Sequence, residues 1–348
     1  MSYKIKTPML WFTQPVDSKP RPWTYFKIEG LMINAYEIIK RNRDKHIKLC
    51  GIHKYLNYNG IVMMDSGGFQ IMKSKEAKNI SAKALLEIYE RSKPNIAVIL
   101  DYPISPGLSR KEIRERQIKT LENIKYMSSS HITSNPMLIP VIHGHRPNDI
   151  VWFLRKLFKI GEFDIYGIGS LVPSVFTTRG AGGIYNVIEV VNLVRNFLPD
   201  KKIHVFGIGS SLTMHLMFYI GADSVDSSAW RIKAAYGAIQ LPGTGDRYIT
   251  PKKKNRNYKN LTKEEMKKLE KCSCPVCKKF SIDALAKSFE LRALHNAWIL
   301  QEEVKLAREL IRDRKYERYV EKILKGSKFY NAFLYAKKLK QKNRHFYI

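Results

Sequence analysis

The sequence predicts an α/β fold, a (β/α)8 TIM barrel, from its length and from the alternation of short apolar runs with longer amphipathic stretches. A single barrel would nearly fill the 348 residues. Buried parallel strands are short and continuously apolar, and crossover helices separate them along the chain. Alternation at this spacing indicates a parallel sheet, and the length suits a closed barrel better than an open sheet.

Five apolar runs predict strands, and each of them ends at a polar residue or a glycine. The runs are residues 61–64 before Asp65, 96–100 before Asp101, 137–142 before His143, 165–168 before Gly169 and 203–208 before Gly209. Helical patterns lie between them at residues 82–91, 110–127, 148–159 and 184–197. Residues at the carboxyl ends of barrel strands face the catalytic mouth, so these strand ends are candidate site positions.

The last hundred residues differ in character from the rest of the chain. Residues 252–271 are basic and poor in apolar side chains, and residues 281–325 carry helical patterns. The tail from Gly326 interleaves aromatic residues with Lys and Arg. We treat residues 1–348 as one barrel domain that carries a distinct subdomain at 250–300 and a basic helical tail at 301–348.

The charge of the chain indicates a polyanionic partner. Sixty-one Lys and Arg against 31 Asp and Glu give a formal net charge of +30. A surplus of that size attracts nucleic acid, although a membrane surface or a compositional bias toward Lys remains an alternative. We find neither a signal peptide nor an uninterrupted apolar stretch long enough to span a membrane, and therefore expect a soluble, cytoplasmic protein.

Three of the four cysteines are clustered and predict a metal site. Cys272, Cys274 and Cys277 are followed by His295, and three thiolates with one imidazole form a closed tetrahedral set that suits a structural Zn2+. His345 is a weaker rival for the fourth ligand, and unliganded thiols are the alternative. The prediction makes residues 250–300 a zinc-binding subdomain.

Three aspartates follow or end strand-like runs and would converge on one barrel mouth. They are Asp65 in M-M-D-S-G-G-F-Q, Asp101 in V-I-L-D-Y-P and Asp226 in A-D-S-V-D-S-S, where Asp223 is a nearby rival. A carboxylate pair about 5–5.5 Å apart suits a retaining double displacement at a sugar anomeric carbon. The alternative is that each aspartate only caps a turn.

Taken together, these motifs resemble the tRNA-guanine transglycosylase superfamily. The motifs are D-S-G-G-F-Q, L-D-Y-P, F-G-I-G, V-D-S-S and C-x-C-x2-C with a following H-N, in that order from about Asn34 to His295. The resemblance implies a barrel with a zinc-bearing insertion near its C-terminal end. It also implies an enzyme that exchanges a guanine in a nucleic acid for a 7-deazaguanine base such as preQ0.

The resemblance also implies a role for each matching residue. Asp226 matches the nucleophile that attacks C1′, and Asp65 matches the general acid/base that takes the incoming base's N9 proton. Asp101 matches the carboxylate that reads N1 and the 2-amino group of the purine. Asn34 matches a residue that orients the nucleophile.

Further positions match residues that surround the base. Phe69 matches the ring that stacks on it, and Ser170 and Leu171 match a loop whose backbone meets it. Gly207 and Gly209 match the G-x-G pair of the family. We expect all five to line the substrate site.

Departures from the family pattern favour DNA as the polymer. V-I-H-G places His143 where the tRNA enzymes usually carry a base-contacting glutamine. We expect the His143 ring to donate to O6 or to a 7-substituent of the base, with a structural strand-end histidine as the alternative. V-D followed by S-A-W replaces the usual F-D. The sequence also shows neither the P-T-R of the bacterial tRNA enzymes nor the RNA-binding extension of the archaeal ones. This pattern is similar to the deazapurine DNA-modification branch, with tRNA as the alternative.

Other classes of function remain in view. A non-catalytic nucleic-acid-binding relative is disfavoured because binding alone would not need the three aspartates. A zinc hydrolase is disfavoured because the four metal ligands leave no open coordination position. The sequence leaves open whether the chain works alone or as a homodimer.

Overall fold

The computed structural model describes residues 5–41, 43–73, 80–131, 135–176, 183–250 and 259–345. Its centre is a parallel sheet of eight strands, the fifth of which is interrupted. They are β1 Met9–Thr13, β2 Gly30–Asn34, β3 Ile61–Asp65, β4 Ile96–Val98, β5 in the two segments Met137–Ile139 and Val141–Ile142, β6 Ile165–Ile168, β7 Lys202–Val205 and β8 Ser224–Ser227.

The sheet closes into a barrel at two places. β8 pairs with β1, so that Trp11 lies opposite Asp226. Pro140 interrupts β5 because proline lacks an N–H group, and the first segment pairs with β4 while the second pairs with β6. The Pro140 carbonyl still accepts the Gly167 N–H at 2.9 Å. The predicted (β/α)8 barrel is confirmed.

The four predicted helices are present and end within a few residues of the expected bounds. They are α5 Ala82–Ser92, α6 Arg110–Ser130, α7 Pro147–Leu157 and α9 Gly183–Phe197. Ser109 and Glu112 form a capping box that starts α6, because each side chain accepts from the other residue's N–H. The other helices before residue 236 are α1 Ala35–Lys40, α2 Asp44–Cys50, α3 Ile52–Leu56, α4 Gly68–Lys73, α8 Val172–Phe176, α10 Thr213–Ile220 and α11 Ala229–Ala235, with one 3-10 turn at Pro22–Thr24.

An insertion separates the last barrel strand from the last barrel helix. A hairpin of β9 Ala238–Leu241 and β10 Gly245–Tyr248 starts it, and α12 Lys263–Glu270 and α13 Ile282–Lys287 follow. These elements share a small apolar core that is separate from the two larger apolar clusters of the barrel. Its buried members are Ile239, Leu241, Ile249, Leu269, Cys274, Val276, Leu285 and Leu294.

Helix α14, Phe289–Arg312, returns from the insertion to the barrel and packs against α11 and β1. The expected boundary between residues 300 and 301 lies inside this unbroken helix. Two further helices, α15 Tyr316–Leu324 and α16 Tyr330–His345, cover the outside of the barrel near α9 and α10. Within the described ranges, no helix is long and apolar enough to cross a membrane.

Candidate active site at the barrel mouth

The inward-facing side chains of the strands change from apolar to polar toward the carboxyl ends. In β1, Met9 and Trp11 belong to the apolar cluster inside the barrel, and Thr13 follows two positions later. In β3, Met63 belongs to the same cluster and Asp65 follows. Successive side chains alternate between the faces of a strand, so the polar residues form the next layer of the same interior. That layer is the floor of the mouth.

Asp226 lies on β8 and is held by two donors. The Thr13 hydroxyl donates to Oδ2 at 3.0 Å, and the Gly207 N–H donates to Oδ1 at 2.5 Å. Gly209 packs so closely on this strand that an added Cβ would collide with the Asp226 backbone. The carboxylate is 8 % exposed and therefore has a fixed direction with limited access to solvent.

Asp65 carries a proton at neutral pH. Burial raises the pKa of its carboxyl, the charges of Asp101 and Asp226 raise it further, and hydrogen bonds from the Ser66 and Gly67 amides lower it. The result is a pKa of about 8. The three carboxyl groups are thus close enough to affect one another. A protonated acid beside a carboxylate is suited to general acid–base catalysis.

Asn34 contacts Asp65 and not the Asp226 carboxylate, which corrects the contact expected from the family pattern. Its Nδ2 donates to Asp65 Oδ2 at 2.9 Å, and its Oδ1 accepts from the Tyr36 N–H to cap α1. The reason is the register, because β2 and β3 are neighbours and place Asn34 directly beside Asp65.

Asp101 is held between two hydrogen bonds. The Ser66 hydroxyl donates to Oδ1 at 2.8 Å, and His143 Nε2 lies 2.9 Å from Oδ2. Gly68 packs against the same carboxylate, where an added Cβ would lie 2.6 Å from Oδ1. The D-S-G-G segment therefore shapes the site of Asp101 as well as that of Asp65.

The structure places His143 behind Asp101, which corrects the expectation that its ring meets the base. The side chain is fully buried, and its Nδ1 lies 2.8 Å from Ser170 Oγ. Both ring nitrogens are therefore engaged inside the protein. Gln117 also holds the His143 carbonyl, with a 2.7 Å bond from its Nε2.

The other expected base-contacting residues lie around the same mouth. Phe69 is 46 % exposed at the start of α4. Ser170 has a φ of +66° and follows β6 at the mouth, whereas the Leu171 side chain is fully buried in the core. Phe69 thus presents an exposed aromatic ring, and any contact from Leu171 would come from its backbone.

Asp223, the rival to Asp226, lies at the other end of the barrel. It forms an ion pair with Arg195, and its carboxylate accepts the Ile203 N–H at 2.8 Å. These contacts lie at the amino ends of β7 and β8. Asp223 therefore ties the bottom of the barrel together and is remote from the mouth.

Three side chains that contact the aspartates were not found by sequence reasoning. Thr13 and Ser66 are hydrogen-bond donors to Asp226 and Asp101. His204 on β7 is fully buried, with Nε2 3.4 Å from Asp226 Oδ1. A polar residue at the end of an apolar run marks Thr13, but the pairing of its strand with β8 has no signal in the sequence.

The three clustered cysteines and His295 come together in the insertion as a group that could hold a metal ion. All four ligand atoms lie within 4.8 Å of one another, and Nδ1 of His295 is 3.2 to 3.9 Å from the three sulfurs. A tetrahedral Zn2+ with Zn–S of about 2.3 Å and Zn–N of about 2.0–2.1 Å requires a sulfur–nitrogen separation of about 3.5 Å.

The orientation of the histidine supports the same arrangement. His295 Nε2 lies 2.9 Å from the Gln240 carbonyl and donates its proton there, which leaves Nδ1 unprotonated toward the sulfurs. The fourth member of the cluster is thus His295, on α14. His345 lies among the side chains outside the described set.

Fold and site together define a class: a (β/α)8 barrel with three neighbouring carboxyl groups at its mouth and a Cys3His cluster in an insertion. The sequence profile described as Queuine tRNA-ribosyltransferase matches residues 2–328. The chain belongs to this family, which confirms the superfamily that the motifs resemble.

Curated relatives agree with the family match. The chain is 28% identical over 351 residues to the tRNA-guanine(15) transglycosylase of Pyrococcus abyssi, covering 95% of this chain and 54% of that protein. It is 30% identical over 314 residues to the protein of the same name from Thermococcus onnurineus, covering 87% and 50%. The Methanosarcina mazei protein of that name is 27% identical over 309 residues, covering 87% and 58%. The chain spans about half the length of the curated relatives it matches.

Proposed function

We propose that this protein is a guanine transglycosylase that exchanges a guanine in tRNA for a 7-deazaguanine base such as preQ0. The observation that carries the proposal is the mouth itself. One carboxylate is held by two donors, a second carboxyl has a pKa of about 8, and a third is fixed between a serine and a histidine. A nucleophile, an acid/base and a base-reading acceptor are what this exchange requires.

The choice of tRNA over DNA rests on the relatives and on two findings in the structure. The relatives are named for tRNA. His143, one motive for expecting DNA, is buried behind Asp101 and does not face a polymer. The unusual S-A-W segment is a second motive, yet Trp230 is fully buried with its ring 6.3 Å from that of Phe12. Neither feature therefore favours DNA.

In the first half of the proposed reaction, Asp226 displaces the guanine. An oxygen of its carboxylate attacks C1′, the C1′–N9 bond breaks, and an ester joins the ribose to the protein. The leaving guanine takes the proton that Asp65 carries at neutral pH. Thr13 and Gly207 keep the attacking carboxylate in one orientation.

In the second half, the incoming base restores the glycosidic bond. The Asp65 carboxylate takes the N9 proton of the 7-deazaguanine, N9 attacks C1′, and Asp226 leaves as a carboxylate. One glycosidic bond replaces another, and the proton on Asp65 is regenerated. The cycle therefore needs no redox cofactor or nucleotide energy source.

Asp101, Phe69 and the Ser170–Leu171 backbone are the proposed base-binding groups. Asp101 would accept hydrogen bonds from N1–H and the 2-amino group, which lie on one edge of guanine and of 7-deazaguanines. The exposed Phe69 ring would stack on the base once it has left the nucleic-acid stack.

The metal that we propose for the Cys3His cluster is Zn2+. Three thiolates and one imidazole fill its four positions, so the ion would cross-link the insertion to α14 and would not take part in the chemistry.

Exposed lysines on the insertion are the proposed phosphate contacts. They lie on α12 and around the cysteines: Lys263, Lys267, Lys268, Lys271, Lys278 and Lys279. The more basic residues 251–258 lie outside the described ranges. In the tail helix α16, Lys338 and Lys342 are exposed, whereas Lys337 pairs with Glu317.

The test is to offer labelled preQ0 with unmodified tRNA, single-stranded DNA and duplex DNA, in parallel, to the purified protein. We expect label in tRNA alone. Label in DNA alone would overturn the choice of polymer, and binding without label in any polymer would favour the non-catalytic alternative. Asp226→Asn should abolish covalent trapping of the polymer, whereas Asp65→Asn should slow exchange and leave attack partly active.

A further inference from the structure

His143 stands at the centre of a chain of hydrogen bonds that ends on Asp101. The Ile104 N–H donates to Ser170 Oγ at 2.7 Å, and that oxygen lies 2.8 Å from His143 Nδ1. On the other side of the ring, Nε2 lies 2.9 Å from Asp101 Oδ2. The imidazole is fully buried, so water does not compete for either nitrogen.

The chemistry of these groups sets the direction of the chain. Because Ser170 Oγ already accepts the Ile104 proton, its own hydroxyl proton is available to His143 Nδ1. A neutral ring that accepts at Nδ1 carries its proton on Nε2, and that proton points at Asp101 Oδ2. The result is a chain of three donors in which every proton is directed toward the carboxylate.

Close packing leaves the ring and the carboxylate little room to turn. A Cβ at Gly169 would lie 2.6 Å from Cε1 of the His143 ring. A Cβ at Gly68 would lie 2.6 Å from Asp101 Oδ1. The two glycines bring the backbone close enough to hold both groups in place.

We propose that His143 is a positioning residue that keeps Asp101 a hydrogen-bond acceptor aimed into the mouth, and so determines the choice of base. The inference rests on the proposed function and identifies His143 as the residue on which the choice of base depends. A carboxylate that accepts hydrogen bonds binds more tightly to a base that presents both a ring N–H and an adjacent amino group. Guanine presents both groups, whereas hypoxanthine presents only the ring N–H.

A glutamine at this position could reproduce the chain, and a leucine could not. The amide oxygen of glutamine can accept from Ser170 while its NH2 donates to Asp101, as the two ring nitrogens do. Leucine fills a similar volume and offers neither group. The pair His143→Gln and His143→Leu therefore separates hydrogen bonding from packing.

The experiment measures equilibrium binding of guanine and of hypoxanthine to the full-length protein by calorimetry. We expect the wild type to prefer guanine and His143→Leu to lose about tenfold of that preference, since one charge-assisted hydrogen bond is of that order. His143→Gln should restore most of it. Ser170→Ala, which frees Nδ1 without touching Asp101, should give a smaller loss in the same direction.

The matched control is His131→Gln, because His131 contacts the Pro136 carbonyl at the opposite end of the barrel. It should leave the preference unchanged. A folded His143→Leu protein with wild-type preference would overturn the inference, as would a wild type that binds the two bases equally or not at all. A wild type that prefers guanine but exchanges no base in tRNA or DNA would refute the proposed function, and the binding ratios would still decide the role of His143.

Discussion

At the scale of single residues, the site depends on which carboxyl group holds a proton. Asp226 and Asp101 are each satisfied by two hydrogen bonds, whereas Asp65 is partly buried beside both of them. Ionising Asp65 would add a third negative charge to a confined space. Its pKa of about 8 is the consequence, and it separates the role of Asp65 from that of its neighbours.

Base exchange should therefore slow as the pH rises through about 8, because the leaving guanine needs the Asp65 proton. The rate should fall about tenfold per pH unit above that point, because the protonated fraction of Asp65 falls by the same factor. Asp65→Asn should be slow throughout and should lack this alkaline decline. The measurement is kcat/KM for tRNA, which reports the first half of the reaction, across about pH 6 to 10, and an unchanged profile in Asp65→Asn would assign the titration to another group.

The same pKa sets the sign of a stability effect. In the unfolded chain the carboxyl has its ordinary pKa of 3.8, so between that value and about 8 the folded protein binds the extra proton. Folding is favoured by this group below pH 3.8, and the contribution is lost as the pH rises through 8. The proton that serves the reaction also relieves repulsion within the folded site.

The sequence alone identified the three aspartates but not the hydrogen-bond donors that hold them in place. A polar residue after an apolar run is visible in the sequence at Asp65 and Asp101, whereas Asp226 was found through its V-D-S-S motif. The donors Thr13 and His143 act across strands, with partners 213 and 42 residues away. Which strand ends meet depends on register and closure, and no local pattern encodes them.

At the scale of elements, the proposed metal ion would supply much of the stability of the insertion. Its own apolar core is small, and small cores need a cross-link such as a metal. Helix α14 carries His295 and packs on β1, so the ion would join the insertion to the barrel wall.

Cys277→Ser should therefore lower the melting temperature by several degrees and reduce the bound zinc, with exchange lost only as the protein unfolds. Cys50→Ser is the matched control, because Cys50 lies on α2, outside the cluster. Differential scanning calorimetry with metal analysis makes the measurement. Equal melting temperatures and zinc contents in the two variants would show that the cluster holds no structural metal.

The helices and strands were predictable to different degrees. The four amphipathic helices and the five strongest apolar runs match the structure closely. β1 and β2 were not singled out, although each is a short apolar run, because residues 14–29 between them lack a helical pattern. The division of β5 at Pro140 also escaped prediction, since a proline within a run is visible but its effect on pairing is not.

The tail helix α16 behaves as part of the fold. Phe333 is fully buried, and the Tyr335 hydroxyl bonds the Glu189 carboxylate on α9. Two of the aromatics that interleave with lysines in this segment are thus packing residues, and phosphate contacts from the tail would come from Lys338 and Lys342.

At the scale of the whole molecule, the net charge of +30 attracts nucleic acid from any direction, and local lysines must guide it to the mouth. Lys267→Gln with Lys268→Gln should weaken tRNA binding and lower the slope of log Kd against log salt by about 1 to 2, because each phosphate contact contributes about 0.7–0.9. Filter binding between about 50 and 200 mM salt makes the measurement.

The control removes the same charge from the opposite end of the barrel. Lys93 and Lys159 are exposed and lie in the segments before β4 and β6, away from the mouth. Changing both to Gln should alter the affinity little and leave the slope as it is. If the two double variants lose affinity equally, net charge and not the insertion governs binding.

The pairing of the first strand with the last has a consequence for how the protein is made. Arg308 on α14 donates to the Pro8 carbonyl and pairs with Glu29, 279 residues away along the chain. Loops of that length close slowly, and β1 gains its second neighbour only when β8 exists. On the ribosome, the segment around Met9–Thr13 therefore lacks its second neighbouring strand until more than two hundred further residues have emerged. Its apolar surface stays exposed during that time. This delayed pairing follows from the closure of the barrel, and in a circular permutant that starts between β4 and β5 a different strand would be left unpaired during synthesis.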